Sequence, residues 1–312
     1  MIILRHSDAV PAHLRQGVVA IGNFDGVHRG HQAVLATARA LAQAEGRPMG
    51  ALTFEPHPRS VFQPELAPFR LTPFPMKARL IGALGADFLF TQGFDLAYAQ
   101  TPADDFIQNT LVRTLDVRHI VIGHDYAFGK GRTGTPESLR RAGASMGFGV
   151  TELAAVTARS GVILSSTAAR DAIREGRMAD AAAILGRAWA IEGPVEHGEK
   201  RGRAIGFPTA NVALTDVLRP RPGVYAVSVR IGDAPEIHHG VANCGRRPTF
   251  DGKGTLLEVH LFDFAETLYD RRLHVAFARF LRDERKFDDV AALQRQIVED
   301  AAAARRYLQE TA

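Results

Sequence analysis

The chain has 312 residues, 46% of them hydrophobic and 23% charged, with a formal net charge of +4. That length is long for one hydrophobic core and comfortable for two domains, and the composition is ordinary for a soluble globular protein. A pI near 9.4 suits anionic substrates, yet no block of Lys and Arg marks a nucleic-acid tail. The single cysteine, Cys244, excludes an intrachain disulfide and fits a reducing cytoplasm. Met1-Ile2-Ile3-Leu4 is followed at once by Arg5, His6 and Asp8, and no run approaches the ~18 apolar residues of a membrane span. Neither a span nor a signal peptide is expected.

Gly17-Val18-Val19-Ala20-Ile21 reads as a buried parallel strand. Gly22-Asn23-Phe24-Asp25-Gly26-Val27-His28-Arg29-Gly30-His31 follows, and then Val34, Ala38, Leu41 and Ala42 recur at helical spacing until Gly46 and Pro48. His28 and His31 therefore stand at a helix start, where unpaired N–H groups and the dipole favour an anion. Gly22, Gly26 and Gly30 permit sharp turns and close approach of backbone to a ligand. Taken alone, two histidines three apart also suit an exposed surface or a metal pair.

Met49–Phe54 reads as a second strand, ending in Glu55-Pro56-His57-Pro58-Arg59, a loop at a carboxyl end or simply a rigid turn. Amphipathic helices are predicted over Lys77–Leu84 and Pro102–Leu111, with Thr101 as cap of the second. A third strand, Arg118–Gly123, runs into His124-Asp125-Tyr126-Ala127-Phe128-Gly129-Lys130-Gly131-Arg132-Thr133-Gly134, a basic glycine-rich loop fit to wrap phosphates or to lie solvated. Thr135-Pro136-Glu137 opens a helix, and so does Ser165-Ser166-Thr167, with Arg170 one turn in.

The helical pattern of Asp180–Leu185 ends at Gly186, where the period changes, so the domain boundary is placed near 186. Strands are expected over Trp189–Gly193, Gly223–Val229, His239–Asn243, Thr255–Phe262 and Arg272–Leu281, which points to a small antiparallel barrel. A closing helix spans Asp289 to about Leu308, with Leu293, Ile297, Ala301 and Leu308 on its inner face. Between the first two strands, Gly198–Asn211 is basic and glycine-punctuated but lacks a Walker A pattern. In an extended segment Thr209 and Asn211 share a face, and such oxygen donors suit Mg²⁺; a plain barrel hairpin fits the same spacing.

G-N-F-D-G-V-H-R-G-H resembles the adenylyltransferase signature of prokaryotic bifunctional riboflavin kinase/FAD synthetases. E-P-H-P-R, G-H-D-Y-A-F-G and S-S-T-A-A-R resemble further motifs of that family in order, with Tyr126 where phenylalanine is commoner and Ala169 where isoleucine is usual. In the second half G-F-P-T-A-N, N-C-G-R-R-P-T-F and the strand around Glu258 are similar to the riboflavin kinase motifs. Thr267-Leu268-Tyr269-Asp270 stands where the family has L-Y-G. The resemblance implies a Rossmann-like, doubly wound nucleotidylyltransferase domain at 1–186 and a kinase β-barrel with a C-terminal helix at 187–312.

It also implies two reactions. Riboflavin and MgATP give FMN in the second domain, and FMN with a second ATP gives FAD and pyrophosphate in the first. Glu258 then takes the proton of the flavin hydroxyl, while Thr209 and Asn211 hold Mg²⁺. His28 and His31 bind the α/β-phosphates, and Arg170 with Ser166 the leaving pyrophosphate. Gly22, Phe24, Asp25, Gly30, His57, Asp125, Ser165 and Thr167 are expected to line the first ligand site, and Gly206, Pro208, Asn243 and Arg282 the second. The expected partners are small molecules, with no nucleic acid or membrane, in a monomer or weak homo-oligomer. A class I tRNA synthetase shares H-x-G-H but would carry a K-M-S-K-S loop, which is not evident. A flavin-binding regulator would have lost these chemical residues, and an enzyme with one inert half is the remaining alternative.

Overall fold

The computed structural model describes residues 1–65, 68–158, 161–197, 206–214, 216–246 and 255–311. Its contacts divide into two compact units, Met1–Ala67 with Thr72–Ser166, and Pro68–Leu71 with Thr167–Ala312.

The first unit is built on a six-stranded sheet. Its strands are β1 (Ile2–Arg5), β2 (Val18–Ile21), β3 (Met49–Glu55), β4 (Phe88–Gly93), β5 (His119–Gly123) and β6 (Gly149–Leu153). The order is β1-β4-β3-β2-β5-β6, and every pairing is parallel. From β2 the chain works outward through β3 and β4 on one side and through β5 and β6 on the other. The carboxyl ends of β2 and β5 therefore flank the point where winding reverses, and ligands bind there in open parallel sheets. Side chains alternate between two cores. Val19, Ile21 and Ile120 pack with Phe106 and Leu111 on one face, and Val18, Ala20 and Val121 pack with Val34, Leu35 and Ala38 on the other. Burial on both faces explains why β2 is apolar throughout.

Helices α1 (Arg29–Ala44), α2 (Pro58–Phe62), α3 (Phe74–Ala83), α4 (Ala103–Asp105), its π-wound continuation Phe106–Thr114, and α5 (Pro136–Met146) complete this unit. Thr135 caps α5 in a reciprocal pair with Ser138, as expected. Two details differ from expectation. Helix α3 starts before Lys77 because the chain enters it at Pro73 with a proline in the first turn. Thr101 does not cap α4: Pro102 holds that position without a side-chain bond, and the Thr101 carbonyl accepts the Lys130 N–H at 2.8 Å.

In the second unit, α6 (Ser166–Arg174) and α7 (Met178–Leu185) precede a closed barrel, and α7 ends at Gly186 with φ +74°. The barrel strands are β7 (Ala190–Glu196), β8 (Ala210–Ala213), β9 (Gly223–Ile231), β10 (His238–Arg246), β11 (Thr255–Leu261) and β12 (Arg272–Arg282). They run β10-β11-β8-β7-β12-β9, all antiparallel, and β9 pairs back onto β10. Phe277 meets Trp189 and Tyr225, each at 5.0 Å between ring centroids.

Helix α8 (Val290–Glu310), capped by Asp289, lays Ala304 and Leu308 against Ala226, Val241 and Phe262. Its buried residues are Gln296, Asp300, Ala304 and Leu308; Leu308 and Ala301 face the core as expected, whereas Leu293 and Ile297 are only half-buried. Asp300 on this face meets Arg282 from β12 at 2.7 Å. An apolar count along the helix does not register that requirement.

Hydrogen bonds tie Pro68–Leu71 to the second unit. Arg170 Nε donates to the Phe69 carbonyl at 2.9 Å, Trp189 Nε1 to Leu71 at 3.0 Å, and Leu218 N–H to Arg70 at 2.8 Å. The division between the compact units falls at Ser166/Thr167, and the period change near 186 lies inside the second unit. No described helix is long and apolar enough to cross a membrane.

Candidate active sites

In the first unit the loop after β2 delivers both histidines to the start of α1. His28 is the N-cap, and its Nδ1 accepts the His31 N–H at 3.3 Å. The two rings stack with centroids 3.7 Å apart, and Phe24 meets His31 edge-on at 5.2 Å. Gly30 is required by this fold-back, because a Cβ there would stand 2.9 Å from His28 Cε1 and 3.0 Å from the Leu164 carbonyl. The loop is also wound against preference, with Phe24 at φ +50° and Val27 at φ +40°. Positive φ at a β-branched residue is uncommon, and strain of this kind costs about 1–3 kcal/mol per residue, so neighbouring bonds must hold it.

Those bonds come from residues that the motif does not contain. Thr72 accepts the Gly26 N–H on its hydroxyl at 3.0 Å and donates its own N–H to the Asp25 carboxylate at 3.2 Å. Ser166 Oγ donates to the Asp25 carbonyl at 2.8 Å. Asp25 is thus buried as a loop fastener, and its carbonyl ties Ser166 to the histidine loop. His57 caps α2, its Nδ1 accepting the Arg59 N–H at 3.1 Å, at the carboxyl end of β3. Asp125 lies exposed just beyond β5. Gly22 lies under the Phe24 ring. Arg170 falls in the second compact unit, buried, with its guanidinium over the Phe69 ring at 5.3 Å.

In the second unit one lateral row of the barrel gathers polar side chains from four strands. Asn211 of β8 pairs in register with Glu258 of β11, Glu258 with Asn243 of β10, and Asn211 on its other side with Glu196 of β7. Residues directly opposite in a sheet share a face with their Cβ atoms about 5 Å apart, so the register makes neighbours of residues far apart in sequence. Asn243 Nδ2 reaches Glu284 at 3.5 Å, and Glu284 in turn lies over Gly245, where a Cβ would collide with its carboxylate. Gly206, at φ +86°, and Pro208 lead into β8, and the Pro208 carbonyl is bonded to the His260 ring at 2.9 Å. Thr209 follows, exposed, one residue before the strand. The glycine-rich segment 198–205 and Arg247–Phe250 lie outside the described residues.

Arg282 is committed to Asp300 through Nε and one terminal nitrogen, with Gln296 also bonded to that carboxylate. Beside this pair a cavity of about 550 Å³ opens between β12 and α8, and its lining includes neither Glu258 nor Asn211. Asp270, which stands where the family has glycine, adopts φ +61°. The family's glycine thus answers a left-handed turn, and aspartate is among the few other residues that tolerate one.

The donor set fits a divalent cation on one point. Asn211 is 8% exposed, and its Oδ1 is buried with no hydrogen-bond partner among the described residues. Such a carbonyl oxygen beside a carboxylate, two residues from a hydroxyl, is the hard-oxygen environment that Mg²⁺ selects.

The sequence from residue 10 to 168 matches the model of the FAD synthetase family, and residues 185–308 match that of riboflavin kinase. The bifunctional riboflavin kinase/FMN adenylyltransferase of Escherichia coli (strain K12) is 41% identical over 291 residues, 93% of this chain and 92% of that protein. The enzyme of that name from Pseudomonas fluorescens is 44% identical, covering 95% and 94% of the two chains. A solved structure from Streptococcus pneumoniae, described as a macrolide-efflux protein, superimposes with a TM-score of 0.87 at 30% identity, over 98% of this chain and 99% of that one. Two matched domains in one order, and relatives spanning nearly the whole chain, place this protein in the bifunctional riboflavin kinase/FMN adenylyltransferase family.

Proposed function

We propose that the two activities of the family, phosphorylation of riboflavin to FMN and adenylylation of FMN to FAD, run through separate residue sets in this chain. The observation that carries the division is the in-register pair Asn211–Glu258 on a barrel in one unit and the stacked pair His28–His31 at a helix start in the other. The family placement supports the chemistry, and the geometry supports the roles.

In the kinase half, Glu258 accepts the proton of the riboflavin 5′-hydroxyl as its oxygen attacks the terminal phosphate of ATP. Thr209 and Asn211 would hold Mg²⁺. The ion, when bound, neutralises charge on the phosphate oxygens. Asp270 in its left-handed turn is compatible with turnover.

In the adenylyltransferase half, the FMN phosphate is already anionic, so attack on the α-phosphate of ATP needs no general base. Positioning and charge neutralisation carry the rate. His28 and His31 bind the α/β-phosphate oxygens over the start of α1, and Ser166 and Arg170 are assigned the departing pyrophosphate on their motif. Asp125 orients ribose or phosphate through solvent. The domain limits for this assignment are 1–186 and 187–312. The lone buried Cys244 fits the cytoplasm, and the partners are the small substrates alone, with no nucleic acid, in a monomer or weak homo-oligomer.

Incubating the full chain with riboflavin, ATP and Mg²⁺, and following FMN and FAD by chromatography, tests this reading. Sequential appearance of both flavins is expected. FMN alone would silence the first unit, and bound flavin without turnover would make the protein a regulator.

A further inference from the structure

Lys77 is 2% exposed, an unusual position for an ammonium group, and it belongs to neither motif set. It lies on α3 between the buried residues Met76 and Ala78. Its Nζ donates to the Asn23 carbonyl at 3.2 Å and to Thr53 Oγ1 at 3.2 Å, and it pairs with Glu55 Oε1 at 2.6 Å. Thr53 Oγ1 itself donates to the same Asn23 carbonyl at 3.1 Å. An ammonium has three protons to donate, and here three oxygens receive them.

We propose that Lys77 is a positioning residue for adenylyl transfer, tying the histidine loop to the Glu55–Arg59 loop. Asn23 immediately precedes Phe24, the first left-handed residue of the loop that carries His28 and His31. Glu55 begins the segment in which His57 caps α2. One buried cation thus sets the distance between two loops at neighbouring strand ends. A buried ion pair contributes little to stability beyond what packed apolar residues supply, whereas its directional bonds define a geometry. The inference rests on the adenylyl-transfer reading of the first unit.

The test uses the full chain and assays FMN with ATP, and riboflavin with ATP, on the same preparations. Lys77→Met should lower kcat for FAD formation about a hundredfold, the scale of an ångström-sized misplacement, with a much smaller change in the KM for ATP. Phosphorylation of riboflavin should stay within about twofold of the parent. Lys77→Arg should recover part of the loss. The double variant Glu55→Leu/Lys77→Met removes both buried charges, so it should regain thermal stability without regaining FAD formation. FAD formation at the parental rate in Lys77→Met, or its full return in the double variant, would overturn the proposal. A parent chain that makes no FAD from FMN and ATP would instead overturn the adenylyl-transfer reading, and this inference with it.

Discussion

His28 folds back over its own helix so that its ring stacks on His31 at 3.7 Å while its Nδ1 receives the His31 N–H. One imidazole therefore caps the helix and stacks on the other, and under the proposed function the two bind phosphate as a unit. His31→Ala removes a phosphate ligand and leaves the cap acceptor in place. FAD formation from FMN should fall at least about a hundredfold, the order of loss for one preorganised transition-state donor, while riboflavin phosphorylation stays near its parental rate. Loss of both activities in a folded variant would refute separate sites.

The reciprocal variant lies in the barrel. Glu258→Gln keeps the shape of the side chain opposite Asn211 but removes the proton acceptor. General-base losses are typically about 10²–10⁴-fold, and that drop is expected in FMN formation with FAD formation from supplied FMN retained. Asn211→Leu, in turn, should raise the Mg²⁺ concentration needed for half-maximal kinase rate, read from a titration at fixed ATP.

Asp270 occupies a left-handed turn at φ +61° and is exposed. Asp270→Gly relieves that conformation but loosens the unfolded chain, so the net gain should be small, about 0.5 kcal/mol. A urea midpoint that moves downward would show that the aspartate carboxylate has a stabilising role of its own.

Cys244 is buried in β10, and burial, reinforced by the Glu284 carboxylate and opposed by Arg219, pushes its thiol up to about 12 from the ordinary 9.0. The native protein should therefore resist thiol reagents at pH 8, with labelling that follows unfolding by denaturant. The sign for stability follows from the raised value. Below about pH 9 the thiol is neutral in both states; as pH climbs from 9 toward 12 the unfolded chain ionises first, and stability falls. A rapid labelling phase in the absence of denaturant would contradict this.

Breaking the Arg282–Asp300 pair tests a structural role for a residue first placed among the flavin contacts. Asp300 is 6% exposed, and Asp300→Ala leaves a largely buried guanidinium without its carboxylate. A loss of about 3 kcal/mol in unfolding free energy, read from a denaturant titration, is expected.

The chain's own sequence determined its two halves, their strand–loop–helix grammar and the residue types of both motif sets. Those features follow from local rules: apolar runs at β2 and β5, proline and hydroxyl signals at α5, and a glycine at the end of α7. Strands β1, β4 and β6 escaped notice because β1 and β6 are short edge strands and β4 carries no flanking motif. β8, only four residues long, has an alternation too short to mark it as a strand of its own beyond the extended Thr209–Asn211 segment. Only the tertiary structure decided who stands beside whom. Register across three strands joined Asn211, Glu258 and Asn243, and burial turned Lys77, Thr72 and Asp25 into fasteners of the histidine loop. It also put Asp300 on the buried face of α8, opposite Arg282. Periodicity records how often a residue is apolar, but a buried charge is admitted only when distant partners satisfy it, and that condition exists only once the chain has folded.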